Sequence, residues 1–168
     1  FFLGYNCVYH FKLILKIMRL HVLSFSNPNS SNSFTNFDIE MMRKSAAKQG
    51  HVLDVIYARD CQLAFIKKPQ ILVNNKVPKD IKILIVKAAF TGENLDFHIG
   101  TIKQFDLAGY NIMNNYLSVM RAKNKVRTFQ VLKRYGIPMP KTYVIRSTEY
   151  IKDVVKNIAS YPVILKSI

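Results

Sequence analysis

The sequence predicts an open α/β fold, a mainly parallel sheet flanked by helices, and three observations carry that expectation. Short β-prone runs alternate with stretches of helical periodicity from Leu20 to Met113. One run, Ile81, Ile83, Leu84, Ile85 and Val86, is apolar almost throughout, the pattern of a strand covered on both faces of a parallel sheet. Glycines stand where helical stretches stop, at Gly50, Gly109 and Gly136, as residues able to take a left-handed conformation at a helix end.

Taken in order, Leu20, Val22, Leu23 and Phe25 form a strand that enters a loop of turn formers from Ser24 to Ser33. Phe34, Phe37 and Met41 then recur near helical spacing, which marks them as the apolar positions of a helix closed by Gly50. Val52, Val55 and Ile56 supply a second strand. Between Gln70 and Pro78, two short β-prone pieces surround Asn74-Asn75, and Asn tolerates the positive φ of a tight turn, so a small hairpin is expected there. After the run ending at Val86, Leu95, Ile99, Ile102 and Phe105 mark one face of a second helix, followed by a short strand at Ile112 and Met113. Strand, helix, strand twice over gives a four-stranded, mainly parallel sheet across residues 20–112 with right-handed crossovers. The loop from Ser24 to Ser33 contains no glycine, which argues against the Gly-x-Gly-x-x-Gly turn of a dinucleotide site.

From about Asn114 the pattern turns helical. Val126, Phe129 and Leu132 repeat between basic positions until Gly136. Pro138 and Pro140 then impose an extended connector, because proline lacks an amide donor and restricts the residue before it. A strand is expected at Thr142–Ile145. Ser147 is placed to cap a helix whose Ile151, Val154, Val155 and Ile158 share one face, with Glu149 favourable in its first turn. Pro162–Lys166 reads as a final strand.

Composition narrows the function classes. The chain has 168 residues, 49% of them hydrophobic, enough to bury a core and to exclude a disordered or repetitive architecture. Cys7 and Cys61 are too few for a disulfide framework or a zinc cluster, and His10, His21, His51 and His98 are scattered, so no metal site is proposed and a reducing cytoplasm is expected. Residues 1–17 are apolar but interrupted by His10, Lys12 and Lys16, whereas a membrane span needs about 20 largely uncharged residues. No membrane partner is expected, and residues 1–17 read as a leader outside the core, with the protein proper starting at Met18. The net charge of +15 raises nucleic acid or an acidic polypeptide as partners. Lys and Arg are spread over nearly every segment without interleaved aromatics, which suits solvated helix faces better than a stacking surface.

Four pieces in order, Gly109 to Asn115, Arg121 to Leu132, Gly136-Ile-Pro-Met-Pro-Lys-Thr142 and Tyr161 to Lys166, resemble an ATP-grasp ligase, closest to the RimK-type group that adds glutamate to the C-terminus of a ribosomal protein. The resemblance runs from about Met18 to the end and is strongest after Gly109. It implies a pre-ATP-grasp α/β domain over residues 18–113 and the first part of an ATP-grasp α+β subdomain over residues 114–168. It implies chemistry in which ATP and magnesium phosphorylate a carboxylate and an amine then attacks the acyl phosphate. Lys125 and Lys166 match the two lysines that approach the nucleotide phosphates in that family, a role suited to an ammonium on a flexible stem.

Two departures stand beside the match. Asn124 replaces the usual Asp before the first lysine, a change that a helix cap tolerates. Lys87 stands where relatives commonly show Arg, which removes a planar fork; by itself it reads as a solvated strand end. After Lys166 this sequence shows no glycine-rich phosphate loop and no carboxylate cluster for magnesium, so no catalytic residue and no metal ligand is assigned. The expectation is a fragment inactive alone, binding neither ATP nor magnesium tightly. The competing expectation is a nonenzymatic basic module that binds RNA or an acidic peptide.

Overall fold

The computed structural model describes residues 17–27, 29, 34–90, 94–158 and 162–166. Along the chain the elements are β1 (Arg19–Ser24), α1 (Phe34–Lys48), β2 (Val52–Tyr57), β3 (Cys61–Phe65), β4 (Pro69–Val73), β5 (Leu84–Lys87), α2 (Leu95–Leu107), β6 (Ile112–Met113), α3 (Tyr116–Lys123), α4 (Lys125–Arg134) and α5 (Ile151–Ile158). The expected leader, residues 1–17, lies outside the described residues except for Ile17, which is solvent-exposed just ahead of β1.

Four strands form one parallel sheet in the order β2-β1-β5-β6, as the alternating pattern predicts. Leu23 lies level with Ile56 of β2 and Val86 of β5. Successive side chains of a strand point to opposite faces, so Leu23, Ile56, Leu84 and Val86 share one face with Ile102 and Phe105 of α2, while Val22 and Leu53 share the other with Ile39 and Ala46 of α1. Both faces are dry at the centre: Val22, Leu23, Leu84, Ile102 and Phe105 are each 0% exposed. Burying one such side chain contributes roughly 1.5 to 3 kcal/mol.

The sequence predicts the first helix correctly but misplaces its inward face. Phe37 and Met41 face solvent, and Ile39, Met42 and Ala46 pack on the sheet. Ile39 and Ala46 are seven residues apart and Met42 lies between, an equally regular helical stripe, so periodicity alone offered two faces and large side-chain size pointed to the wrong one. The strand expected at 81–86 is shorter and later, and residues 81–83 form a bend and its approach rather than ladder.

The hairpin also differs from the expectation. Asn74 and Asn75 do take positive φ, 50° and 65°, and the Val73 and Lys76 amides each donate to the other residue's carbonyl across them. Yet the main partner of β4 is β3, paired antiparallel from Cys61↔Val73 to Phe65↔Pro69, a strand not anticipated from the sequence. This small sheet is fastened to the body by Gln104, 2% exposed on α2, whose side-chain amide donates to the Ala64 carbonyl (3.2 Å) and the Gln70 carbonyl (2.8 Å). Tyr110 Oη adds a bond to the Pro78 carbonyl at 2.8 Å.

Beyond β6, α3 and α4 are capped in the same way, Asn115 accepting from the Ser118 amide and Asn124 from the Arg127 amide. Ser147 accepts from the Glu149 amide at the 3-10 turn that leads into α5, as expected. The strands expected at Thr142–Ile145 and Pro162–Lys166 are not strands: among the described residues neither joins a ladder. Val144, Ile145, Ile164 and Leu165 are exposed, and β propensity is realised only when a partner pairs the backbone and shields the side chains. No helix among the described residues is long and apolar enough to cross a membrane.

Truncating Phe105→Ala is expected to cost ~3 to 5 kcal/mol in urea denaturation, the range for emptying a dry aromatic site. Gln104→Ala should cost less, ~1 to 3 kcal/mol, because two carbonyls lose a donor, and should raise amide exchange selectively in β3 and β4. Equal losses spread over the whole chain in the second variant would contradict the tether.

Candidate functional site

In a parallel sheet all strands end on one edge, and ligands collect where the chain order reverses. Here β1 connects outward to β2, while β5 lies on the other side of β1, so the reversal falls between Ser24 and Lys87. The start of the loop after β1 is held by side chains. Ser24 and Ser26 hydroxyls are 2.8 Å apart, Ser26 Oγ donates to Asn36 Oδ1 (2.9 Å), and Asn36 Nδ2 donates to the Asn27 carbonyl (3.2 Å). Arg59 reaches Asn27 Oδ1 from beyond β2 at 3.3 Å.

Across the reversal, Lys87 at the end of β5 pairs with Asp38 of α1. This corrects the expectation of a solvated strand end: the Lys87 side chain is 33% exposed and bridges two elements. Its other side borders a cleft of about 540 Å³ between the β5 end and α3, into which Lys123, Asn114 and Ser118 also face. Lys123 Nζ donates to the Phe90 carbonyl at 2.7 Å and stands 5.0 Å over the Phe90 ring. Burial lowers the pKa of this lysine, since its charged form has lost part of its hydration.

Phe90 belongs to an aromatic group behind the cleft, with Phe25 4.6 Å away edge-on and His98 4.9 Å from each ring. Burial holds the His98 imidazole below its ordinary pKa, and its Nδ1 has no hydrogen-bond partner among the described residues. Neutral imidazole therefore serves as a packing ring here.

The two sequence-predicted phosphate contacts lie elsewhere. Lys125 is the exposed first residue of α4, directly after the Asn124 cap, and Lys166 is exposed in the segment 162–166. Neither lines the β5–α3 cleft or the larger groove of about 660 Å³ between α4 and residues 139–144. That groove has Val126, Phe129 and Met139 on its walls and Lys133, Arg134 and Lys141 at its rim. The sequence reading expected helix from about Asn114 but missed Lys123, because a lysine within a basic stretch carries no local signal of burial. Among the described residues no three His, Cys, Asp or Glu side chains cluster closely enough to hold a metal ion.

Residues 122–168 match the RimK-like ATP-grasp domain family. Over 151 residues the chain is 24% identical to a Saccharophagus degradans protein named "probable alpha-L-glutamate ligase", covering 89% of this chain and 47% of that protein. A similarly named Pseudoalteromonas atlantica protein is 25% identical over 132 residues, 77% of this chain and 43% of its own length. The fold is similar to the crystal structure of a RimK-domain ATP-grasp protein from Sphaerobacter thermophilus, with a TM-score of 0.56 at 15% identity, over 86% of this chain and 48% of that one. The chain thus spans about half the length of the relatives it matches, and the RimK-type resemblance and the α/β fold read from the sequence are borne out.

The His98 environment has a pH signature. The unfolded chain releases its imidazole proton near the ordinary value of about 6.5, the folded chain only at lower pH, so between the two values the unfolded state binds more protons and stability rises with pH. The urea midpoint should fall as pH drops through that window, and His98→Leu should flatten this part of the profile. Superimposable profiles for the two proteins would contradict the assignment.

Proposed function

We propose, from the RimK-like ATP-grasp match at residues 122–168, that the chain forms the front part of an ATP-dependent carboxylate-amine ligase. On this reading residues 18–113 are the pre-ATP-grasp α/β unit and residues 114–168 open the nucleotide-grasping unit. The observation that carries it is the match itself, which encloses both Lys125 and Lys166. Glutamate ligases among the relatives suggest glutamate as the amine and a peptide or protein carboxylate as the acceptor, a ribosomal-protein C-terminus among the candidates. A cytoplasmic setting suits an enzyme that consumes ATP.

Lys125 and Lys166 suit polyphosphate chemically. Both are exposed, each presents an ammonium on a flexible stem, and among the described residues neither pairs with a carboxylate. When bound, ATP supplies the phosphoryl group that activates the carboxylate; the lysines would orient its phosphates and offset charge that builds during transfer. Magnesium use is implied for the full-length members of the family, and none of the described residues is assigned to it. The 168 residues span about half the length of the ligases they resemble, so we expect no amide formation from them alone.

The alternative, a nonenzymatic basic module that binds RNA or an acidic peptide, rests on the net charge of +15. It predicts a steep loss of binding with salt, because each phosphate contact releases a counterion.

With the chain joined to the remaining half of a related glutamate ligase, Lys166→Ala is expected to weaken ATP binding by ~1.5 to 3 kcal/mol in calorimetric titration, the scale of a hydrogen bond to a charged group. Thermal stability should stay unchanged, since the head is solvated and the stem adds little packing. Unaltered ATP affinity in that variant would refute the role given to Lys166.

A further inference from the structure

We propose that the β3–β4 hairpin docks the chain reversibly on an anionic lipid surface, with Phe65 and Ile66 entering the interface and Lys67 and Lys68 meeting the headgroups. The inference goes beyond the ligase reading and does not rest on it. Between the last paired residues, Phe65 and Pro69, the chain turns through Ile66, Lys67 and Lys68, all exposed. Phe65 is 76% and Ile66 75% exposed, so two large apolar side chains stand in water side by side at the hairpin tip.

Single apolar side chains scattered on a surface need no explanation, but this pair differs in how it is held. Immediately behind the tip, Ala64 and Gln70 pair across the two strands, and the buried Gln104 amide of α2 donates to both carbonyls, at 3.2 Å and 2.8 Å. Ile71, 1% exposed, fixes β4 in the core one residue further back. The base of the tip is thus anchored, and a preorganised element loses little further freedom when it binds.

Charge selects the occupant. From Cys61 to Lys79 the chain carries Lys67, Lys68, Lys76 and Lys79 and neither Asp nor Glu. Among the described residues Lys67 and Lys68 pair with no carboxylate, so both ammonium groups are available to lipid phosphate. The net charge of +15 draws the whole chain toward a negative surface, and the hairpin sets which part touches it. At the boundary between headgroups and acyl chains, lysine stems lie along apolar neighbours while their ammonium heads stay in the polar layer. RNA is the poorer match, because base stacking uses aromatic faces and Ile66 has none. No described helix is long and apolar enough to cross a membrane, and docking on its surface needs none.

The chain contains no tryptophan, so Phe65→Trp places a single fluorescent probe at the tip. The test mixes the 168-residue chain with vesicles of phosphatidylcholine alone, or of equal parts phosphatidylcholine and phosphatidylglycerol, and follows co-sedimentation and emission. With the mixed vesicles the Phe65→Trp emission should shift to the blue and be quenched by brominated acyl chains. Tyr135→Trp, at an exposed site ending α4, should show neither response. Lys67→Gln and Lys68→Gln should each weaken binding roughly fivefold, the contribution of one lysine near an anionic surface. Phe65→Ser should weaken it roughly tenfold, whereas Ile164→Ser, which removes an equally exposed apolar side chain elsewhere, should leave it unchanged. Equal binding to both kinds of vesicle, a tip tryptophan that stays in water, or equal losses from Phe65→Ser and Ile164→Ser would overturn the proposal. A dimer abolished by Phe65→Ser, or a single-stranded RNA that shifts the tip probe while vesicles do not, would also overturn it and assign the tip to a second copy or to nucleic acid.

Discussion

Strand β1 is hydrogen-bonded on both edges and covered on both faces, and the position of every group at the strand-end edge follows from that. Leu23 fills one layer against Ile56 and Val86, and Val22 fills the other against α1. With parallel partners on each side, the end of β1 must emerge beside the end of β5. Ser24 and Lys87 therefore meet at matching register, and α1, leaving the same edge, brings Asp38 to Lys87. A one-residue slip of β1 would turn Val22 and Leu23 onto each other's faces and dismantle both layers, so the register that builds the core also builds the cleft.

A second consequence concerns α3. Helix α2 packs on the sheet through Ile102 and Phe105, and Gly109 at φ 88° ends it so that β6 can join beside β5. The turn at Asn114 then places α3 over the β5 end, where Val119 enters the core and Lys123 reaches Phe90. The polar cleft is thus walled on one side by the sheet edge and on the other by a helix anchored in the same core.

Much of this was legible in the sequence because burial on both faces leaves a strong mark. The run around Leu84–Val86, the stripe Leu95, Ile99, Ile102, Phe105, and glycines at helix ends each had one low-energy reading. Elements whose identity depends on a partner were not legible. Cys61–Phe65 becomes a strand only by pairing with β4, and Thr142–Ile145, equally β-prone, does not become one among the described residues. The site divides along the same line. Lys125 and Lys166 are proposed from an ordered motif, whereas Lys123 acquires its setting from Phe90, thirty-three residues earlier in the chain, which no local pattern encodes. Lys87 was noticed for its position but not for Asp38, forty-nine residues away.

The proposed pre-ATP-grasp and ATP-grasp units make one demand: joined to the remaining half of a related ligase, these residues must support nucleotide-driven activation of a carboxylate. The most direct measurement is release of ADP by a folded chimera of this chain with the remaining half of a related glutamate ligase, assayed with and without glutamate and an acidic acceptor peptide. The account predicts ADP release that requires the acceptor carboxylate and forms amide product when glutamate is added. A folded chimera that binds no ATP, or that hydrolyses it at the same rate with and without the acceptor, would contradict it.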